Sequence, residues 1–221
     1  MVNMNTIINT VGTNTYETIK QDIIAGRLQP GTKLKLDGLK AQYSASVSTL
    51  RETLNRLSSD GFVLSAEQRG FFVAPVSIAD LTEIAQMRIL LEGHALKASF
   101  ASGGPEWEGD VVAAYHKLKL MEERMQSGDD SEIETWKAYD LGFHRALISA
   151  CDSNTLKQLH STIYDKYLRY QMLVLDFRGK PACNEHKDML DMALSRNTEK
   201  ALNVLETHVL LGVEHCIASF K

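Results

Sequence analysis

Four side chains in the C-terminal two thirds of the chain can bind metals or move protons, yet sit where the local pattern is apolar. Between residues 131 and 151, Ile133, Trp136, Phe143, Leu147, Ile148 and Cys151 recur at helical spacing, and Asp140 and His144 fall in the same stripe, one turn apart. His186 shares a stripe with Met189, Leu190 and Ala193, and His208 shares one with Ala201, Leu205 and Leu211. A buried carboxylate and buried imidazoles need partners, because uncompensated burial of polar groups is costly. If these helices converge, one oxygen and three nitrogens meet in a core. That set suits a divalent transition metal such as zinc, nickel or manganese, with positions left open on an octahedral ion. The plain alternative is that each imidazole bonds a backbone carbonyl or a nearby carboxylate, with Asp140 and His144 a local pair.

Arg88 is also out of place, on the stripe of Leu81, Ile84, Leu91 and Ala95. Two partners suit it: Glu92, one turn on, or the carboxylate of a small effector held by both arms of the guanidinium. Arg169, with Tyr164 and Tyr170, is a second candidate for an effector pocket, against a solvated helix face. His215, two turns after His208, is an alternative ligand, while His94, His116 and His160 carry no assigned role. A metal-dependent hydrolase would want a general base beside the open position, and no further Asp or Glu stands out on these stripes. The chain is therefore expected not to be an enzyme. A metal-binding scaffold bundle is the other rival.

The elements that would position these residues read as helices over about 78–101, 105–127, 131–151, 154–177, 184–195 and 198–219. Gly, Pro, Ser and Asn clusters separate them, such as Ser102-Gly103-Gly104-Pro105 and Gly179-Lys180-Pro181. Short connections and apolar stripes predict an antiparallel bundle.

The first 75 residues differ. A helix over about Thr13–Ala25 is followed by a turn at Gln29-Pro30-Gly31, a short helix capped by Asp37 and running through Tyr43, and a third helix capped by Ser46. Two β-prone runs, 62–65 and 71–74, then make a hairpin ending at Pro75. Three helices and a hairpin suit a winged helix-turn-helix, whose third helix must pack one face and offer polar and basic groups to the major groove. Leu50, Leu54 and Leu57 pack inward. Ser46, Ser48 and Thr49 at its start, then Arg51, Asn55 and Arg56, are the candidate DNA contacts, with Arg69 beside Gly70 at the tip of the wing. The bland alternative is a small helical domain with a solvated polar face.

Composition sets the bounds. Of 221 residues, 44% are apolar and 24% charged, the range of an ordinary globular chain. The net charge of −4 divides unevenly. Residues 1–75 carry eight Lys/Arg against six Asp/Glu, a balance of +2, and the rest sixteen against twenty-two, a balance of −6. A mildly basic head on an acidic body fits a DNA-binding module. No apolar run approaches the roughly 18 residues of a membrane span, and residues 1–10 lack the pattern of a signal peptide, so a cytoplasmic protein without membrane partners is expected. Cys151, Cys183 and Cys216 fit neither a disulfide framework nor a zinc motif, and read as reduced core residues.

The string Ile24-Ala25-Gly26-Arg27-Leu28-Gln29-Pro30-Gly31, the run from Val47 to Leu57, Asp60-Gly61 and Arg69-Gly70-Phe71-Phe72-Val73 together resemble the GntR family of bacterial transcriptional regulators. The family commonly has basic residues where this chain has Val47 and Asp37, which reduces the expected phosphate and base contacts. The body resembles the all-helical ligand-binding FCD domain of the FadR subfamily, on Arg88-Ile89-Leu90-Leu91-Glu92, Phe143-His144-Arg145-Ala146-Leu147, Asn154-Thr155-Leu156, Glu185-His186 and His208. Gly103-Gly104-Pro105-Glu106-Trp107-Glu108 is similar to the carbon-starvation-induced regulators within it. The resemblance implies a mainly α protein, with a winged helix-turn-helix over 1–75 and a helical effector-binding and dimerisation domain over 76–221. It further implies a homodimeric repressor that binds an inverted-repeat DNA operator and senses a small carboxylate beside a metal held by Asp140, His144, His186 and His208.

Overall fold

A computed structural model describes residues 11–129, 131–174 and 177–219. The reading of residues 1–10 lies outside them. The chain forms two compact units, one ending at Ser77 and one beginning at Ile78.

The first unit is α1 (Val11–Ile24), β1 (Lys33–Leu34), α2 (Leu36–Tyr43), α3 (Val47–Ser59), β2 (Val63–Ala66) and β3 (Gly70–Val73). The expected three helices and wing are present, joined by β1, which the sequence pattern had not signalled. A two-residue strand is too short to display a period. β1 and β2 flank β3, both antiparallel to it, with Leu34 opposite Phe71 and Leu64 opposite Phe72. Asp37 lies in the first turn of α2 rather than at its cap, which is Lys35 and has no side-chain cap bond. Ile19, Ile23, Leu50, Leu54, Leu57, Phe62 and Val63 make the core of this unit. Ser44 takes a left-handed conformation (φ 49°) that ends α2 and turns the chain into α3.

The second unit is all-helical: α4 (Ile78–Ser102), α5 (Pro105–Gln126), α6 (Ile133–Leu147), α7 (Asn154–Val174), α8 (Lys180–Leu194) and α9 (Thr198–Ser219). α8 begins earlier than its pattern suggests. Pro181, read as a break, sits in the first turn of α8, where its missing N–H costs nothing. α4 packs on α7 and α9, α5 on α6 and α8, and α8 on α9. Cys151 and Cys216 are buried and Cys183 is half-buried, and all three are free thiols. Among the described residues no helix is long and apolar enough to cross a membrane.

Candidate metal centre and DNA interface

In the first unit, Ser46 caps α3: its Oγ accepts from the Thr49 backbone N–H at 3.1 Å and lies 2.8 and 2.9 Å from the Ser48 and Thr49 hydroxyls. Leu50, Thr53, Leu54 and Leu57 are buried, leaving Ser48, Arg51 and Asn55 on the exposed face and Thr49 half-buried. Arg56 is exposed but turned toward α1. Its guanidinium lies 4.4 Å from the centre of the Tyr16 ring, and the Tyr16 hydroxyl donates to Asp60. A cleft beside the wing is lined by Arg51, Arg69 and Gly70 together with Lys33 and Lys35 of the β1 segment, and Glu67 is its sole acidic wall. Lys33 and Arg69 both flank the Phe72 ring, at 5.7 and 6.0 Å from its centre. Lys33 and Lys35 are cations the sequence pattern had not singled out.

In the second unit, α6, α8 and α9 converge as their apolar stripes require. Asp140, His144, His186 and His208 are all buried, and each offers a ligand atom within 4.8 Å of those of the others. The ring centres are 5.8 Å apart for His144–His186, 5.3 Å for His144–His208 and 4.7 Å for His186–His208.

The far side of every one of these side chains is engaged. Nδ1 of His144 bonds Glu92 of α4, Nδ1 of His186 bonds Glu122 of α5 at 2.6 Å, and Nδ1 of His208 bonds Glu185 of α8 at 2.8 Å. Tyr164 of α7 donates to Asp140 Oδ2 at 2.5 Å. A carboxylate only accepts, so each Nδ1 carries a proton and each neutral ring keeps its lone pair on Nε2. Nε2 of His186 lies 3.2 Å from Asp140 Oδ1, within ion-pair reach, but its N–H direction misses the oxygen. It has no hydrogen-bond partner among the described residues.

Electrostatics separates the three rings. Burial alone would lower the His186 pKa, but Asp140 and Glu122 on either side outweigh it and push it up to about 9. His208 is driven down to about 3 by burial and by the neighbouring His186 and His144, against the opposing pull of Glu185. His144 is lowered by burial and Arg88 despite Glu92. Burial disfavours the charged form of Glu92 too, yet His144 and Arg88 hold its carboxyl well below the usual range.

Arg88 is fully buried and meets Glu92, with Nε 3.0 Å from Oε2, and His160 Nε2 reaches the same oxygen at 3.0 Å. The guanidinium lies over the Tyr164 and Tyr167 rings, and its Nη2 is 3.2 Å from His144 Nε2. Its Nη1 is buried without an acceptor among the described residues. Arg169 is elsewhere, buried on α7 under the influence of Tyr170 and Asp80. It does not line the cleft that opens onto the cluster. That cleft is narrow and is lined by Asp140, His186, His208 and His215, with Trp136, Lys137, Gln171 and Arg178.

The structure corrects one step of the sequence reading. Buried acids do stand beside the cluster, namely Glu92 and Glu122, with Glu185 nearly so. Each is committed to an imidazole Nδ1, so these acids orient the rings. Glu122 carried no signal, because an acid within a charged run such as Met121-Glu122-Glu123-Arg124 reads as a solvated face, and Glu185 entered only beside His186 in the family resemblance.

Residues 12–73 match the model of the bacterial regulatory proteins, gntR family, and residues 83–211 match the FCD domain. The chain is 37% identical over 198 residues to the HTH-type transcriptional regulator BphR of Paraburkholderia xenovorans (strain LB400), spanning 88% of this chain and 80% of that one. It is 30% identical over 206 residues to the HTH-type transcriptional repressor GlaR of Escherichia coli (strain K12), spanning 90% and 92%. The solved structure of E. coli McbR/YncC shares the fold, with a TM-score of 0.82 at 17% identity over 97% of this chain and 100% of that one. The two sequence relatives, BphR and GlaR, are transcriptional regulators, not enzymes. With its DNA-binding segment and its helical segment each matched, the chain belongs to the gntR family of bacterial transcriptional regulators, in the FadR-like subfamily that carries a C-terminal FCD domain.

Proposed function

We propose that the protein is a repressor that binds an inverted-repeat operator as a homodimer and releases it when a small carboxylate reaches a divalent transition metal held by Asp140, His144, His186 and His208. Residues 1–75 read the DNA, through Ser46, Ser48, Thr49, Arg51, Asn55, Arg56, Arg69 and Gly70, and residues 76–221 bind the effector and dimerise. The observation that carries this reading is the division of labour within each ligand. Three rings give Nδ1 to a carboxylate and keep Nε2 for the cluster, and Asp140 gives one oxygen to Tyr164 and keeps the other. Outer partners that fix ring orientation and tautomer are a regular feature of metal sites. Three nitrogens and one oxygen fit zinc, nickel or manganese. When bound, such an ion supplies a Lewis-acidic position for an effector oxygen.

Arg88 supports the carboxylate half of the reading. Its charge is fixed by Glu92, its Nη2 contacts His144 Nε2, and its Nη1 has no acceptor among the described residues, which supports a carboxylate partner for that one N–H group. Repression follows the relative GlaR. A dimer matches the two-fold symmetry of an inverted repeat. α4 carries Arg88 and begins at Ile78, immediately after the winged unit in sequence, which gives the effector site a covalent route to the head. The coupling required is about 1–3 kcal/mol.

The test is fluorescence anisotropy of the metal-loaded protein on its own upstream DNA at physiological salt. Preference over random duplex, relieved by small carboxylates, is the expected result. Equal affinity for both duplexes overturns the reading.

A further inference from the structure

The exposed side of α3 begins with a side chain that can neither donate nor accept a hydrogen bond. Val47 is the first residue of α3 and is 38% exposed, and in the first unit it and Leu64 of β2 are the large apolar side chains left open to solvent among the described residues. Arg51 follows one turn on and Asn55 one turn after that, so the three run along one side of the helix, clear of the buried stripe of Leu50, Thr53, Leu54 and Leu57. Arg51 also lines the cleft beside the wing, so this side of α3 is turned toward the cations of that cleft. The polar groups of the first turn are occupied with one another. Ser46 Oγ accepts from the Thr49 N–H and lies 2.8 and 2.9 Å from the Ser48 and Thr49 hydroxyls. From Ser44 to Leu50 the sequence has no charged residue.

The start of a recognition helix is the part that meets base edges in the major groove. A valine side chain there offers nothing to a phosphate and nothing to a donor or acceptor of a base. The apolar group that a base pair presents in that groove is the C5-methyl of thymine. Against any other base edge, Val47 would strip water from donors and acceptors without replacing it. We propose that Val47 reads a thymine C5-methyl group, so that each half-site of the operator carries a T·A pair where the first turn of α3 meets the bases. This rests on the operator-binding reading above and adds a specificity determinant to it. Burial of one methyl-sized group changes an equilibrium constant by about three- to fivefold, and a dimer on two half-sites applies that factor twice.

The experiment uses the metal-loaded full-length protein and a duplex that it selects from a synthetic random pool, with binding read by fluorescence anisotropy. Thymine is replaced by deoxyuridine one position at a time, in both half-sites together, which removes the methyl and keeps every hydrogen-bonding group. At one position the swap should weaken wild type about ten- to twentyfold, and there Val47→Ala should bind the two duplexes within threefold of each other. Synthetic duplex holds no 5-methylcytosine, so thymine is the source of the methyl. Val47→Ala should keep the wild-type affinity for random duplex and the wild-type salt slope, because valine neutralises no phosphate. Val47→Ser, which also lacks the branched methyls, serves if Val47→Ala fails to fold. Selected half-sites without thymine, a wild type indifferent to uracil at every position, or a uracil effect that persists in Val47→Ala and Val47→Ser overturns the proposal and leaves sequence-selective binding standing. A pool that yields no preferred sequence overturns both.

Discussion

Glu122 of α5 holds His186 of α8 by Nδ1 at 2.6 Å across the bundle, both side chains almost fully buried. The contact fixes the ring so that Nε2 turns toward Asp140, His144 and His208, the geometry a ligand needs before the ion arrives. Glu122→Gln, which keeps the shape and removes the charge, should lower metal affinity by about 10–100-fold with all four ligands intact. Competition against a chromophoric chelator measures this. Unchanged affinity would make Glu122 a partner of convenience.

Metal uptake should depend on pH through His186. Its pKa in the metal-free protein is raised to about 9, so at pH 7 the ring is protonated and its Nε2 proton must leave before a metal can bind there. Affinity should therefore climb about tenfold per pH unit from 7 toward 9, with about one proton released per ion by this ring. Calorimetry in two buffers of different ionisation enthalpy counts the proton. A count of zero at pH 7 would show that His186 is already neutral.

Lys137 gives a stability prediction of defined sign. Its folded pKa is about 8, below its ordinary value. Below pH 8 both folded and unfolded states carry the proton and the folded state bears the whole cost, about 3 kcal/mol at the scale of 1.36 kcal/mol per pKa unit. Between 8 and the ordinary lysine value the unfolded chain binds more protons, so the cost recedes as pH rises. Lys137→Met should thus be more stable than the wild type at pH 7 without effector, by an advantage that shrinks through pH 8–10. Urea denaturation across that range would expose a constant difference, which contradicts the assignment.

On the DNA side, Arg51→Ala should weaken operator binding by about 1–3 kcal/mol if Arg51 reads a base. Lys33→Ala and Lys35→Ala should lower affinity for operator and random duplex alike, each reducing the salt slope by about 1. Anisotropy at four salt concentrations separates the two behaviours. Specificity lost with either lysine would place a base reader in the segment from β1 to the start of α2.

Legibility in the sequence tracked contrast. Asp140, His144, His186 and His208 were visible because a polar residue on an apolar stripe breaks the pattern that its helix otherwise obeys. Glu122 and Lys137 were not, because charged residues at those positions read as an ordinary solvated face, and Glu185 stood out only through the family resemblance, with no role attached. Their partners come from other parts of the chain: His186 of α8 for Glu122, His208 of α9 for Glu185 and Gln171 of α7 for Lys137. Arg88 was visible by the same contrast, and the structure pairs it with Glu92, one of the two partners its position suggested. The three helices and wing of the head were legible from caps and periods, whereas β1 became a strand only by pairing with β3.

The Asp/His cluster is expected to hold one metal ion per chain. Elemental analysis of the full-length protein, purified without a histidine tag and reconstituted with zinc, nickel or manganese, tests it most directly. About one equivalent of a divalent transition metal in the wild type, lost in His144→Ala and His186→Ala, is the predicted result. Less than about a tenth of an equivalent of every such metal in the wild type would contradict it.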